Sequence, residues 1–246
     1  METAEYQRMF EMEDTHWWFQ SRYDLTSRVL ERAAAGVDGK PIRHLDMGCG
    51  TGMFLERQGD RRETYGLDFS TEGLRFSSQR GLKRLVCADS QEIPFASNSF
   101  DIVTAFDLIE HVPHDDKLVA EVHRILRPGG FLLATVPAHP MLWSPHDIAL
   151  HHMRRYRKKE FGSLFKRDLW EKRRFTYSFF AIYLPATGVR LMKRVSISNG
   201  HAEADTRTTP ALLNSMLKGL HQIENAWLER LDAPIGLSLM TVQEKR

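Results

Sequence analysis

Three glycines stand at alternate positions of "HLDMGCGTG" (residues 44–52), behind a short apolar run that ends in an acid: Gly48, Gly50 and Gly52. This spacing is tighter than the G-x-G-x-x-G turn of dinucleotide-binding proteins, and it predicts a turn around a different adenosine ligand. Asp68, which follows Asp46 by 22 residues, is placed to accept hydrogen bonds from both ribose hydroxyls, and Asp89 is placed to accept from an adenine amino group. The pattern predicts a site for an adenosine that carries no pyrophosphate.

Short strand-like runs alternate with amphipathic stretches across residues 41–137, which is typical of a parallel sheet with crossover helices. The predicted strands are 42–46, 64–68, 83–89, 100–106 and 130–138, and the predicted helices are 53–58, 71–80 and 115–126. Because the three acids end the first three strands, we expect them in the crevice where open α/β sheets bind ligands.

The pattern changes beyond residue 137. The sequence predicts a functional loop over 138–157, a helix over 158–165, a sixth strand over 171–180, a mostly helical region over 181–232 with a polar interruption near 198–210, and a last strand in "IGLSLMTVQEK". We therefore predict one α/β domain over 1–246, with a doubly wound, mostly parallel, seven-stranded sheet. Its predicted parts are a helical cover (1–38), a cofactor-binding core (39–137), a lid and helical cap containing the sixth strand (138–235), and the last strand (236–246).

Several of these segments resemble motifs of the class I S-adenosylmethionine-dependent methyltransferases. "LDMGCGTG" resembles their first motif, "YGLDFS" their ribose-binding strand end, "CADSQEIPFASNSFDIVTAFDLIEHV" the run from adenine binding to the fourth strand, and "EVHRILRPGGFLLATVP" the fifth-strand block. The chain is most similar to the group that methylates small molecules, including quinone precursors of the ubiquinone and menaquinone type. The resemblance covers roughly residues 16–137 and implies a Rossmann-like methyltransferase fold with S-adenosylmethionine as cofactor and S-adenosylhomocysteine as product.

The resemblance also implies roles for individual residues. Gly48 and its neighbours would let the backbone approach the methionine moiety, Asp68 would hold the ribose, and Asp89 with the Ser90 amide would hold the adenine. Arg22, in a predicted cover helix, is a candidate partner for the cofactor carboxylate, which a guanidinium can bind through two hydrogen bonds. The expected cofactor-binding residues are Arg22, Asp46, Gly48, Cys49, Gly50, Gly52, Asp68, Phe69, Asp89, Ser90 and Phe106.

The stretch "PAHPMLWSPHDIALHHMRRYRKKEF" follows the fifth strand and is therefore expected to open over the methyl-transfer site. Its histidines and aspartate leave three interpretations open: a divalent metal site, a general base or positioning group, or a polar lid. We assign no metal ligand and take His146 and His151 as the candidate bases. The candidate substrate-binding residues are Trp17, Trp18, His111, Trp143, Arg154, Arg155 and Tyr156.

Charge is uneven along the chain. Lysine plus arginine number 34 and aspartate plus glutamate 32, which argues against a globally basic nucleic-acid binder. Residues 151–174 hold ten basic residues against three acids, so this segment could receive an anionic acceptor or could be a solvated helix face. The segment "FTYSFFAIYLPATGVRLMKR" has the character of a substrate cap or of an interfacial helix.

We therefore expect methyl transfer from S-adenosylmethionine to a small acceptor, anionic or partly apolar, on oxygen, nitrogen or carbon. Two alternatives are a protein that binds the cofactor without methylating, and an RNA methyltransferase. The acceptor is expected to be a small or lipid-linked molecule, with no nucleic-acid partner and no stable membrane insertion, although peripheral membrane contact stays open. The start of the chain lacks a signal-peptide pattern, and the two cysteines form no disulfide framework, so a cytoplasmic location is expected.

Overall fold

A seven-stranded sheet forms the centre of the protein. The structure, a computed structural model, describes residues 3–37, 41–195 and 209–246. The strands are β1 (Arg43–Met47), β2 (Glu63–Asp68), β3 (Leu85–Cys87), β4 (Phe100–Phe106), β5 (Leu126–Pro137), β6 (Trp170–Ser178) and β7 (Ser238–Lys245). Their order is β3-β2-β1-β4-β5-β7-β6, and β7 runs antiparallel to both of its neighbours. The predicted doubly wound, mostly parallel sheet is confirmed, with an antiparallel end.

Helices cover both faces of this sheet. They are α1 (Thr3–Met12), α2 (Trp17–Ala34), α3 (Met53–Gln58), α4 (Thr71–Gln79), α5 (Asp115–Ile125), α6 (Pro145–Ala149), α7 (Lys158–Ser163), α8 (Tyr183–Val195) and α9 (Ala211–Leu228). Short 3-10 turns occupy Gly59–Arg61, Ile109–His111 and Pro140–Leu142. None of the helices in the described parts of the chain is long and apolar enough to cross a membrane.

The hydrophobic core lies on either side of β4 and β5. On one face α5 contributes Leu118, Val122 and Ile125, which pack with residues of α7 against the sheet. On the other face residues of α2 and α9 pack against the alternate side chains of the same two strands. Because both faces are covered, the inner strands are apolar without the alternation of a half-exposed strand. The fold is therefore a helix-sheet-helix sandwich with strand ends available at its edge.

The structure corrects the predicted gap between the helix over 115–126 and the strand over 130–138, a gap that contains most of "RPGG" (127–130). Here α5 ends at Ile125 and β5 already begins at Leu126. Leu126 pairs with Phe100 and Phe131 pairs with Ile102, so "RPGG" forms an irregularity within the β4–β5 pairing. The remaining predicted elements differ by a few residues at their ends, and β3 is shorter than the predicted 83–89. The predicted interruption near 198–210 lies outside the described residues except at 209 and 210.

Candidate functional site

A large cavity lies at the carboxyl ends of β1, β2 and β4. Its volume is about 1400 Å³, which exceeds the roughly 300–1,000 Å³ of typical small-molecule sites. The sheet side of the cavity carries the glycine turn and the acidic strand ends, and the opposite side is formed by α1, the start of α2, the segment around α6, and helices α8 and α9. The cavity therefore has room for a nucleoside ligand together with a second molecule.

The glycine turn forms one edge of this cavity. Its three glycines all have positive φ angles, at +69° for Gly48, +54° for Gly50 and +81° for Gly52. This backbone region is strained for residues with a side chain. Gly48 and Gly50 line the cavity, whereas Gly52 does not. A Cβ at Gly52 would lie 2.7 Å from the Oγ atom of Ser77, so close packing on α4 explains this glycine, and its contact with a cofactor stays a prediction.

Asp46 is a buried carboxyl in the cavity wall. The β1–β4 register sets it beside Thr104, whose hydroxyl donates to Asp46 Oδ1 at 2.6 Å. Since that hydroxyl has a single proton, it must accept from Nε2 of His44 at 2.9 Å. Burial raises the pKa of Asp46 to about 7 and lowers the pKa of His44 to about 3. Asp46 thus changes charge near neutral pH while His44 stays neutral.

Asp68 holds the glycine turn in place. Its Oδ2 accepts from the Gly50 amide and its Oδ1 from the Ser70 amide, both at 2.8 Å. Each oxygen keeps a lone pair that can accept from a ribose hydroxyl. Burial raises the pKa of Asp68 above its usual range. The carboxyl is therefore fixed in orientation before any ligand arrives.

The predicted adenine-side residues are also in the cavity wall. Asp89 is exposed and its Oδ1 accepts from the Gln91 amide at 2.8 Å, while Ser90 is buried. Phe69 projects into solvent at the rim, with 80% of its surface exposed. An exposed aromatic ring at a site rim can cover the face of a base.

Arg22 of α2 borders the cavity near the end of β4. Its Nη1 donates to Oδ2 of Asp107 at 2.7 Å. Phe106 packs edge-on against Phe54 and also lines the cavity. Cys49 lies in the turn with a buried thiol, and burial raises the pKa of that thiol well above its usual range, which excludes it as a nucleophile.

Helix α1 closes the cavity from the N-terminal side. Tyr6, Met9 and Glu13 line it, and the buried Glu13 carboxylate accepts from the Thr51 hydroxyl and from Arg80 Nη2 at 2.6 Å. Burial raises the pKa of Glu13 above its usual range, against the effect of these partners. The sequence predicted a helical cover over 1–38, which includes α1, but it named no site residue in α1 or at Glu13, which directly follows the helix. The buried Glu13 contact fastens this helix to the glycine turn.

The segment after β5 brings four polar side chains together. Asp147 of α6 is buried and accepts from Nδ1 of His152 at 2.9 Å and from Nε of the buried Arg155 at 2.7 Å. Nε2 of His152 is 3.9 Å from Oε1 of Glu110. Glu110 is fully buried and lies in the first turn of the short 3-10 helix Ile109–His111. All but Asp147 line the cavity.

The candidate bases differ in position. His146 lines the cavity, and its ring centroid is 6.3 Å from that of His152. His151 is exposed and outside the cavity lining, because the chain turns there with a φ of +57°. This placement argues against His151 as a base, whereas His146 stays a prediction.

The candidate substrate residues also divide into two groups. Trp17, Trp18, His111 and Arg155 line the cavity. Trp18 also stacks on Phe179 at 4.0 Å between ring centroids, so the tryptophans both pack and face the cavity.

Trp143, Arg154 and Tyr156 do not line the cavity. Arg154 Nη1 and the Tyr156 hydroxyl both donate to Oδ2 of Asp115, at 3.0 and 2.7 Å. These two residues tie the segment after α6 to α5, and the structure does not support their predicted contact with substrate.

Five of the ten basic residues of segment 151–174 form ion pairs with acids. Ion pairs join Arg154 to Asp115, Arg155 to Asp147, Arg157 to Glu160, Arg173 to Glu244 and Arg174 to Asp232. Of these arginines only Arg155 borders the cavity. The predicted anionic-acceptor surface is therefore not supported by this segment.

The cap helices give the cavity an apolar wall. Pro185, Ala186 and Val189 of α8 and Leu213 and Leu217 of α9 line it. Hydrogen bonds hold α9 to the N-terminal helices, since Asn225 Nδ2 donates to the Ser21 carbonyl at 2.8 Å and Asn214 Oδ1 accepts from the Trp17 amide at 2.8 Å. The outer faces of both helices are also apolar and exposed, at Leu184, Met192, Leu212, Met216 and Ile223.

The model of a family described as "Methyltransferase domain" matches residues 45–134. This stretch is similar to methyltransferase domains. The chain is 37% identical over 123 residues to the fatty-acid O-methyltransferase of Mycolicibacterium smegmatis, a match that covers 47% of this chain and 43% of that protein. It is 31% identical over 125 residues to the demethylmenaquinone methyltransferase of Geobacillus kaustophilus, covering 47% of this chain and 53% of that protein. The chain thus spans about half the length of the curated relatives it matches.

The likeness to solved structures extends beyond the matched residues 45–134. A SAM-dependent methyltransferase of Thermotoga maritima, described as a possible histamine N-methyltransferase, superposes with a TM-score of 0.59 at 15% identity, covering 99% of this chain and 96% of that one. At this identity the likeness shows the fold alone. The turn with positive φ angles, the fixed carboxyl of Asp68 and the cavity volume fit S-adenosylmethionine as the cofactor of the domain.

Proposed function

We propose that the protein transfers the methyl group of S-adenosylmethionine to a small, partly apolar acceptor by in-line displacement. The observation that carries this proposal is that one and the same cavity is lined by the glycine turn and acidic strand ends on one side and by an apolar wall on the other. Such a reaction needs the acceptor aligned with the methyl group and water excluded, and the cofactor supplies the chemistry.

On the cofactor side we propose specific partners. Asp68 accepts from the ribose hydroxyls, Asp89 and the Ser90 amide hold the adenine, and Arg22 binds the methionine carboxylate. The remaining members of the site are Asp46, Gly48, Cys49, Gly50, Phe69 and Phe106, all of which line the cavity. The orientation of Asp68 by two backbone amides supports this assignment.

On the acceptor side we propose an apolar body with a polar reacting end. The wall formed by Trp17, Trp18 and helices α8 and α9 would take the apolar part, and the polar group around Glu110 and His152 would take the reacting end. The exposed outer face of α8 and α9 would suit an acceptor held in a lipid phase. A small lipid-like molecule is therefore the acceptor class we favour.

Methyl transfer is tested by incubating the protein with isotope-labelled S-adenosylmethionine and pools of fatty acids, quinols, catechols and extracted lipids. A labelled product heavier by one CH₂ group supports the proposal. Binding of S-adenosylhomocysteine without product from any pool overturns methyl transfer in favour of a non-methylating use of the cofactor.

The cofactor site is tested separately with Asp68→Ala. We expect loss of S-adenosylhomocysteine binding by at least about tenfold, because a charge-assisted hydrogen bond contributes roughly 1.5–3 kcal/mol. Asp116→Ala is the matched control, since Asp116 is an exposed acid of α5 outside the cavity. Calorimetry gives the affinity and circular dichroism checks folding; unchanged affinity in folded Asp68→Ala would contradict the assignment of the ribose.

A further inference from the structure

Three side chains in the cavity wall form a group with the ligand types of a metal site: Glu110, His111 and His152. Their ligand atoms lie within 4.8 Å of one another, the only such group among the described residues. All three line the cavity. Two imidazoles and one carboxylate on one side of a cation leave its other positions open, as catalytic metal sites require.

Glu110 lacks partners that would explain its burial. The side chain is fully buried, and among the residues that the structure describes neither carboxylate oxygen accepts a hydrogen bond from another residue. A buried polar group without a partner lowers stability by roughly 1–3 kcal/mol. A cation beside the two oxygens would supply the missing partner.

His152 is held by a second group, as metal-binding histidines usually are. Nδ1 of His152 lies 2.9 Å from Oδ1 of Asp147, and Asp147 is itself fixed by the Ser144 amide at 2.9 Å. The ring of His111 packs edge-on against that of His152, with 4.8 Å between the ring centroids. His152 therefore has Nδ1 engaged by the protein and keeps Nε2 for a ligand.

We propose that Glu110, His111 and His152 bind a divalent first-row transition cation, such as Mn²⁺ or Zn²⁺, which holds a hydroxyl of the methyl acceptor. The imidazole ligands favour these cations over Mg²⁺ and Ca²⁺, which prefer oxygen ligands. The role in holding the acceptor rests on the proposed function, whereas cation binding does not. The sequence alone assigned no metal ligand, and this proposal differs from that expectation.

The cation would activate the acceptor oxygen. Coordination lowers the pKa of a hydroxyl, so its proton leaves to water and the oxygen stays bound as an anion. An electron pair of that oxygen forms the new O–CH₃ bond, while the electron pair of the S–CH₃ bond goes to sulfur and gives neutral S-adenosylhomocysteine. A Cβ atom on Gly48 would lie 3.0 Å from the side chain of Leu108, which is two residues before Glu110. The proposed cation site is therefore close to the glycine turn, where the methionine moiety of the cofactor is expected to bind. The acceptor class becomes a molecule with a hydroxyl, methylated on oxygen.

Cation binding is tested on full-length protein stripped with a chelator and titrated with Mn²⁺, Zn²⁺ or Mg²⁺. Electron paramagnetic resonance counts free Mn²⁺, and calorimetry measures Zn²⁺ and Mg²⁺. We expect Mn²⁺ and Zn²⁺ to bind at a single site and Mg²⁺ more weakly. Absence of Mn²⁺ and Zn²⁺ binding overturns the proposal.

Glu110→Gln and His152→Asn locate the site. We expect each to weaken Mn²⁺ and Zn²⁺ binding at least about tenfold. The matched controls are His114→Asn and Asp116→Asn, which alter exposed residues outside the cavity and should bind as the wild type does. Unchanged cation affinity in both Glu110→Gln and His152→Asn would overturn the site, and retained S-adenosylhomocysteine binding shows that these variants are folded.

The role in catalysis has its own readout. With an acceptor from the methyl-transfer assay, chelation should abolish product formation and Mn²⁺ or Zn²⁺ should restore it, with S-adenosylhomocysteine affinity unchanged. Product formation that is insensitive to chelation overturns the role of the cation in holding the acceptor. Failure to bind S-adenosylhomocysteine would instead overturn the proposed function, since the cation titrations do not depend on it.

Discussion

Asp46 and Glu110 are both buried carboxyls, but they differ in how far their positions can be predicted from the sequence. Asp46 was predicted because it ends a strand directly before the glycine turn, and strand ends follow from local sequence. The burial of Glu110 depends on the segment after β5, which brings His152 and Asp147 against it from about 40 residues away. The apolar neighbours in "DLIEHV" were a signal for that burial. The position of Asp46 therefore followed from local sequence, whereas the contacts of Glu110 did not.

The carboxyl of Asp46 should make stability depend on pH. Its pKa rises from 3.8 to about 7 on folding, so between these values the folded state binds more protons than the unfolded state. The free energy of unfolding should therefore fall as pH rises across this interval. Asp46→Asn should remove this contribution, on the order of 2–4 kcal/mol between pH 4 and pH 8.

Urea denaturation of the wild type and Asp46→Asn at several pH values measures this difference. Asp116→Asn, an exposed acid, is the control and should follow the wild type. If the wild type and Asp46→Asn show the same slope against pH, Asp46 is ionised in the folded protein near pH 5 and the expectation fails.

Arg22 should contribute directly to cofactor affinity. Arg22→Gln removes the guanidinium that pairs with Asp107 and that we propose binds the cofactor carboxylate. We expect S-adenosylhomocysteine to bind about 10–100-fold more weakly. Arg28→Gln is a matched control on the same helix, since Arg28 is ion-paired with Asp24 but does not line the cavity. Equal affinities of the two variants by calorimetry would remove Arg22 from the site.

At the scale of elements, the strands and helices of the sheet core followed from local patterns. The N-cap of α4 is an example, because Ser70 directly precedes the helix and its Oγ accepts from the Gly73 amide at 3.2 Å. The position of α1 was not predictable in the same way. It depends on the ion pair between Glu13 and Arg80, which are 67 residues apart in the chain. Contacts of this kind leave no local pattern.

Glu13→Gln tests whether α1 controls exchange of the cofactor. Gln keeps a hydrogen bond to Thr51 but removes the charge that faces Arg80, so stability should fall by roughly 1–3 kcal/mol. The cofactor product should also dissociate faster, because α1 lines the cavity and would open more often.

Stopped-flow displacement of S-adenosylhomocysteine measures the dissociation rate of this variant. Glu11→Gln is the control, since Glu11 is exposed on the same helix. A loss of stability with an unchanged dissociation rate would show that α1 is fastened by Glu13 without limiting cofactor release.

At the scale of the whole molecule, the cavity is assembled from a central stretch of the chain and from the segments on both sides of it. The strand ends and glycine turn come from the matched domain at residues 45–134, and most of the opposite wall comes from residues before and after it. The sequence predicted this arrangement in outline, with a cover before the core and a cap after it. Which faces of α8 and α9 point inward depends on how they pack, so the sequence alone did not decide it.

Val189→Asp tests whether the apolar wall binds the acceptor independently of the cofactor side of the cavity. An acid at this position of the apolar wall should raise KM for an apolar acceptor at least about tenfold. Affinity for S-adenosylhomocysteine should stay unchanged. Met192→Asp is the matched control, because Met192 is 69% exposed on the same helix and does not line the cavity.

Steady-state kinetics and calorimetry give both quantities for these two variants. A KM that rises equally in both would show that the outer face of α8, rather than the cavity wall, meets the acceptor. Weaker S-adenosylhomocysteine binding in Val189→Asp would show that the wall and the cofactor side are not separate.

The division of the cavity also bears on how such a protein changes during evolution. Because the glycine turn and the acidic strand ends lie in one continuous stretch and the apolar wall lies mostly in its flanks, mutations in α8 and α9 can accumulate without disturbing the glycine turn. Selection can then act on the two halves independently, so a lineage can acquire a new acceptor while inheriting the methyl donor. Descendants of one ancestor would share residues 45–134 far more closely than the helices around them.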